Sequence, residues 1–121
     1  MLEKRPIINH HIIEVMNSQI QFNVDNIVFL TQQFIQDNSL ISLKMFVYQF
    51  KPMGLTIIHI LSASHLVLHT WPELKYIHID IMRCDKLPDE ETKKQLKSSA
   101  KKIFQSDLIK VVRVNTENEI L

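Results

Sequence analysis

The chain has 121 residues, 45% of them hydrophobic, with 14 lysines and arginines against 13 aspartates and glutamates and a formal net charge of +1. That length supports one hydrophobic core rather than two, and so even a balance of charge lacks the electrostatic footprint that binding to nucleic acid or an anionic membrane requires. A lone cysteine, Cys84, excludes an internal disulfide and a cysteine-rich zinc site.

Met1 to His11 mixes charges with a proline and two histidines and carries no apolar leader. The longest apolar run, Gly54 to Leu61, includes His59 and is far too short to cross a bilayer. The expectation is one cytoplasmic domain over residues 1–121. Ile7 to Val15 reads as a strand. Val24, Ile27, Val28, Thr31, Phe34 and Ile35 then recur at helical spacing, with Asn23 or Asp25 available as the cap. Ile41 to Phe50 and Leu55 to Ser62 are rich in β-branched and aromatic residues and flank Lys51-Pro52-Met53-Gly54, which holds the only glycine, so an antiparallel pair is predicted. A second pair, His65 to Thr70 and Lys75 to Cys84, surrounds Trp71-Pro72-Glu73. After Pro88 a helix begins, acidic at its start (Asp89, Glu90, Glu91) and basic at its end (Lys101, Lys102), as the helix dipole favours. Its apolar stripe is only Leu96, Ala100, Ile103 and Phe104, and its lysines read as a solvated face. A last strand, Leu108 to Asn115, precedes a polar tail.

This order describes an α+β fold: an antiparallel sheet with two helices on one face, in two layers. Strand parity directs Ile77, Ile79 and Ile81 to one face and Tyr76, His78, Asp80, Met82 and Cys84 to the other. It likewise sets Leu66 and Leu68 against His65, Val67 and His69. The aliphatic set belongs under the helices, leaving His69 and Cys84 on the face away from them. The Leu55 to Ser62 strand, read as central, is apolar at nearly every position and is expected to be buried on both sides. With no third helix to cover it, a second copy stacked sheet to sheet is predicted, a homodimer of αββα layering.

Ser64, His69 and Cys84 bring a hydroxyl, an imidazole and a thiol within about twenty residues, the material of a nucleophilic site. A Ser/His hydrolase would want a glycine-lined oxyanion hole, and no glycine lies near Ser64. His59, His65, His69 and His78 match no tight metal-ligand spacing, and no metal is expected. A third reading has Ser64 attack its own preceding peptide bond, with the histidine and thiol serving later proton transfers. In isolation each residue has a plainer role, Phe50 as a core aromatic, His69 as a satisfied strand histidine, Glu73 as a solvated turn residue and Thr56 as an ordinary strand residue.

Pro52-x-Gly54-x-Thr56, then Ser64-His65-x-x-x-His69-Thr70-Trp71-Pro72-Glu73, then Asp80-x-x-x-Cys84 together resemble the small bacterial and archaeal S-adenosylmethionine decarboxylases. The resemblance runs from about Asn9 to Val114 and is dense from Phe50 to Cys84. It implies a proenzyme that cleaves itself between Ala63 and Ser64 into chains 1–63 and 64–121, leaving a pyruvoyl group derived from Ser64. That group would form a Schiff base with S-adenosylmethionine and accept the electrons of decarboxylation, with no external cofactor, to make the aminopropyl donor of polyamine (spermidine) synthesis. It further implies that His69 takes the Ser64 α-proton, Thr56 stands for a serine that assists processing, and Cys84 returns a proton to the product carbon. Phe50 would stack on adenine, in the partner subunit's site, Glu73 would hold the ribose hydroxyls, and Trp71 would line the same pocket. Two departures stand out. Ala63 replaces the family's usual glutamate, and Ile81-Met82-Arg83-Cys84-Asp85 replaces Phe-Thr-Cys-Gly around the thiol; parity turns Arg83 away from Cys84. Two other functions therefore stay open: pyruvoyl chemistry on ornithine or arginine, and an unprocessed regulatory homologue.

Overall fold

The computed structural model describes residues 5–115; the polar tail beyond lies outside them. The elements follow in the order β1 (Asn9–Met16), α1 (Val24–Asp37), β2 (Ser42–Gln49), β3 (Leu55–Leu61), β4 (Ser64–Trp71), a single 3-10 turn (Pro72–Leu74), β5 (Tyr76–Arg83), α2 (Asp89–Ile103) and β6 (Leu108–Arg113). The six strands form one sheet in the order β2-β3-β4-β5-β1-β6, antiparallel throughout. The α+β layering predicted from strand parity is the architecture found.

Local chemistry explains the boundaries. Asn23 caps α1 by accepting a hydrogen bond from the Asn26 backbone amide at 2.9 Å, one of the amides that a helix start leaves unpaired. At the start of α2 the cap position is Pro88, and Asp89, Glu90 and Glu91 face the positive end of the helix dipole. Ile13 and Val15 of β1, Ile57 and Leu61 of β3, Leu66 and Leu68 of β4, and Ile77, Ile79 and Ile81 of β5 are all buried on one face of the sheet. Phe34 of α1 and Leu96 of α2 close that core with Phe104, whose ring lies 5.6 Å from Phe34. Each such side chain contributes about 1.5–3 kcal/mol on leaving water.

Three expectations change. β1 begins at Asn9 rather than Ile7. β3 is next to the edge strand rather than central, because β1 passes between β5 and β6 and shifts the middle of the sheet to β4 and β5. Nor is β3 buried on both sides in one protomer: Leu55, Ile57, His59 and Leu61 are covered, whereas Ile58 and Ile60 on the opposite face are 37% and 43% exposed. The edge strand β2 is exposed along its whole length, since the helices stop short of it. The face opposite the helices is uncovered among the described residues, and Thr56, His69 and His78 lie on it.

Candidate active site

Register decides which side chains share that open face. Thr56 pairs with His69 and His69 with His78, which in turn faces Glu14. One pleat along, Ile58, Val67, Asp80 and Ile12 form the next row, and His65, Met82 and His10 occupy the third. The predicted site residues fall at two separate places along these strands.

The first place is the β3–β4 turn. Leu61 and Ser64 close the ladder, and Ser62 and Ala63 make the turn between them. Ala63 sits in the left-handed region at φ 61°, a conformation that costs a residue with a Cβ roughly 1–3 kcal/mol and persists only where its surroundings enforce it. Cys84, just past the end of β5, donates from Sγ to the Ala63 carbonyl oxygen at 2.9 Å. Its neighbour Arg83 turns to the buried side, where its Nε donates to Asp85 at 2.8 Å, as parity predicted.

The second place is the other end of β3 and β4. Thr56 Oγ1 and His69 Nδ1 share a hydrogen bond of 2.8 Å. His69 also lines a cavity of about 300 Å3 with Phe50, Met53, Gly54, Leu55, Thr70, Trp71 and Glu73. Gly54 is required there: its φ is 104°, and a Cβ at this position would lie 3.2 Å from the Thr70 carbonyl oxygen. The Phe50 amide closes the loop by donating to the Gly54 carbonyl at 2.8 Å. Thr70, turned to the covered face, accepts at Oγ1 from the Leu55 amide at 3.0 Å and ties the loop to β4. Burial lowers the affinity of His69 for a proton; the nearby His78 adds to this, and Asp80 opposes it. A neutral imidazole at working pH is a competent proton acceptor.

Phe50, Trp71, Glu73 and His69 thus surround one cavity of the same chain, and Ser64 is not among its lining residues. Ser64 and His69 do not meet within one chain. Five residues of strand separate them, on the order of 16 Å, and an odd spacing sends their side chains to opposite faces. The spacing itself carries that signal in the sequence. Met53 joins the cavity through the loop between β2 and β3, and Glu14, Tyr76 and His78 join the histidine row through pairing across 62 residues; no local motif marks these contacts. Among the described residues no cluster of three histidine, cysteine or carboxylate groups is arranged to hold a metal, and no helix is long and apolar enough to cross a membrane.

A sequence profile for the S-adenosylmethionine decarboxylase family matches residues 9–115, from the first strand to beyond the last. The chain belongs to that family. Among relatives named S-adenosylmethionine decarboxylase proenzyme, that of Picrophilus torridus is 40% identical over 55 residues, covering 46% of this chain and 42% of the relative. The Fervidobacterium nodosum protein is 32% identical over 90 residues, covering 74% and 64%. The matched part therefore spans less than two thirds of the length of these relatives. A crystal structure of the adenosylmethionine decarboxylase from Aquifex aeolicus superposes with a TM-score of 0.73 over 98% of this chain and 99% of that one, at 20% identity, which establishes the shared fold.

Proposed function

We propose that this member of the S-adenosylmethionine decarboxylase family cleaves itself between Ala63 and Ser64 and then decarboxylates S-adenosylmethionine, acting in the cytoplasm to supply the aminopropyl donor of spermidine synthesis. The observation that carries the reading is the Cys84 thiol directed at the Ala63 carbonyl. Ser64 Oγ is tethered to that carbonyl carbon by its own backbone, so attack closes a five-membered ring. Negative charge then develops on the Ala63 oxygen, where a donor is already aimed. Collapse breaks the Ala63–Ser64 C–N bond and leaves residue 63 as an ester on Oγ. A base removes the residue 64 α-proton, the carboxylate of residue 63 departs from Cβ, and water releases the nitrogen as ammonia. The left-handed Ala63 favours departure from the starting geometry. Alanine in place of glutamate leaves these steps intact, since only the backbone carbonyl takes part.

His69, with its burial-weakened hold on a proton, is the base. It is too far from Ser64 of its own chain, so a second copy must supply it. Stacking two open faces about a two-fold axis lays the Thr56–His69 end of one protomer over the Ser64–Cys84 end of the other and covers Ile58 and Ile60. The Ser64 environment fits a pyruvoyl group, being half-buried with a proton donor beside it. That group supplies a ketone carbon able to take up the substrate amine and the electron pair released with carbon dioxide. Phe50 and Trp71 offer aromatic walls for adenine, Glu73 accepts the ribose hydroxyls at the rim, and Cys84 returns the proton to the product carbon.

Intact-mass measurement tests the first half: fragments 1–63 and 64–121 are expected, the second lighter by one ammonia than a fragment that begins with serine, and a single full-length species after long incubation refutes the reading in favour of an unprocessed regulatory homologue. Carbon dioxide release from labelled S-adenosylmethionine against ornithine and arginine tests the second half.

A further inference from the structure

The histidine row of the open face continues beyond His69 into groups that the proposed chemistry does not use. Glu14 on β1 faces His78 on β5, and His78 faces His69 on β4, so all three project from one side of the sheet. The Tyr76 hydroxyl donates to Glu14 Oε2 at 2.8 Å, and the Tyr76 hydroxyl oxygen itself lies 3.0 Å from His78 Nδ1. A phenol has one proton. With that proton given to Glu14, His78 must be the donor in the second bond, which fixes its tautomer with hydrogen on Nδ1. Burial and the Glu14 carboxylate push the Tyr76 hydroxyl up to about 12, so it keeps its proton wherever an imidazole titrates.

The His78 ring stands 6.5 Å from the His69 ring, and His69 rests on the uncharged Thr56 hydroxyl. Of the two rings, only His78 is joined to a carboxylate through hydrogen bonds. We propose that His78 is a positioning residue for His69: anchored through Tyr76 to Glu14, it holds its ring opposite His69 and disfavours a proton there, leaving His69 a nitrogen free to accept one. The inference rests on the reading of His69 as the base in processing. Two positive rings directly opposed across strands repel, so a proton on one ring disfavours a proton on the other. The other charged or titratable groups facing His69 are Asp80 on β5, which favours charge on His69, Glu73 at the cavity rim, and Tyr48 in the row of Thr56 on β2. Burial and His78 outweigh Asp80.

Proton NMR titration of the His69 imidazole in full-length Ser64→Ala protein reads the effect without any need for cleavage. His78→Asn is expected to move the His69 titration upwards by about half a unit to one unit, the size of one charge removed at this separation in a partly solvated site. Tyr76→Phe and Glu14→Gln, which cut the anchor and keep both rings, move it the same way by less, and they carry the test if His78→Asn fails to fold. An unmoved His69 titration overturns the proposal. In chains that retain Ser64, the acid limb of the cleavage rate follows the same shift, and a uniform loss of rate with no shift marks a structural role and overturns it too. Absence of cleavage in the unsubstituted protein refutes the processing reading, while the NMR titration still decides the His69–His78 coupling.

Discussion

At Cys84 a bond of 2.9 Å to the Ala63 carbonyl would give the thiol a task in the proposed cleavage, before any substrate arrives. Removing a donor from a developing oxyanion commonly costs a hundredfold or more, and a neutral thiol is a weak donor. Cys84→Ala is therefore expected to slow cleavage by about tenfold, and Cys84→Ser to recover most of it, measured as the rate of appearance of the 64–121 fragment. His59 bears on stability instead. It is buried on the helix side, its Nδ1 bonded to Ser42 Oγ at 2.7 Å and its Nε2 without a partner, and burial lowers its proton affinity. The unfolded chain then binds this proton more readily than the folded one. Stability is complete above the ordinary histidine range near 6.5 and is lost as pH falls from there towards the depressed folded value. Denaturant midpoints at pH 7.5 and 5.5 should fall less in His59→Gln than in the unsubstituted protein. The two-residue periodicity made the covered and open faces legible in sequence, but His59 shows its limit: parity puts it on the helix side and says nothing of the Ser42 hydroxyl 17 residues away that holds it.

Among the elements, the β2–β3 connection is the most constrained. Gly54 combines a φ of 104° with the close approach to Thr70, in a loop whose two ends are held by Phe50 and Leu55. Gly54→Ala forces either the backbone or the Thr70 carbonyl to move, at about 1–3 kcal/mol. It is expected to lower the unfolding midpoint and to raise KM for S-adenosylmethionine more than it lowers kcat, because the loop carries Phe50 to the cavity. Gly54 and the β-rich segments around it were readable as a turn between paired strands. The position of that pair at the edge of the sheet was not, since it depends on β1 crossing to lie between β5 and β6, which no local pattern encodes.

For the whole molecule, the separation of Ser64 from His69 along β4 is the decisive geometry. Mixing Ser64→Ala chains with His69→Ala chains should restore cleavage, and only of the His69→Ala chain, because that chain keeps its serine and borrows the histidine of its partner. Intact-mass analysis of the mixture reads this directly; rescue of neither chain would mean that both groups act within one protomer. Ile58→Lys, on the uncovered face, should abolish self-association in sedimentation velocity while leaving the circular dichroism spectrum of the protomer unchanged.

Strand order adds a last consequence. A break after Ala63 divides the sheet into β1, β2 and β3 on one piece and β4, β5 and β6 on the other. The pieces are not neighbours that can drift apart. β1 of the first is threaded between β5 and β6 of the second, and β3 runs alongside β4. The halves left by the proposed cut would remain interleaved like the fingers of two hands, so three ladders would have to open together before either could leave, and the cut would free a chemical group without loosening the molecule.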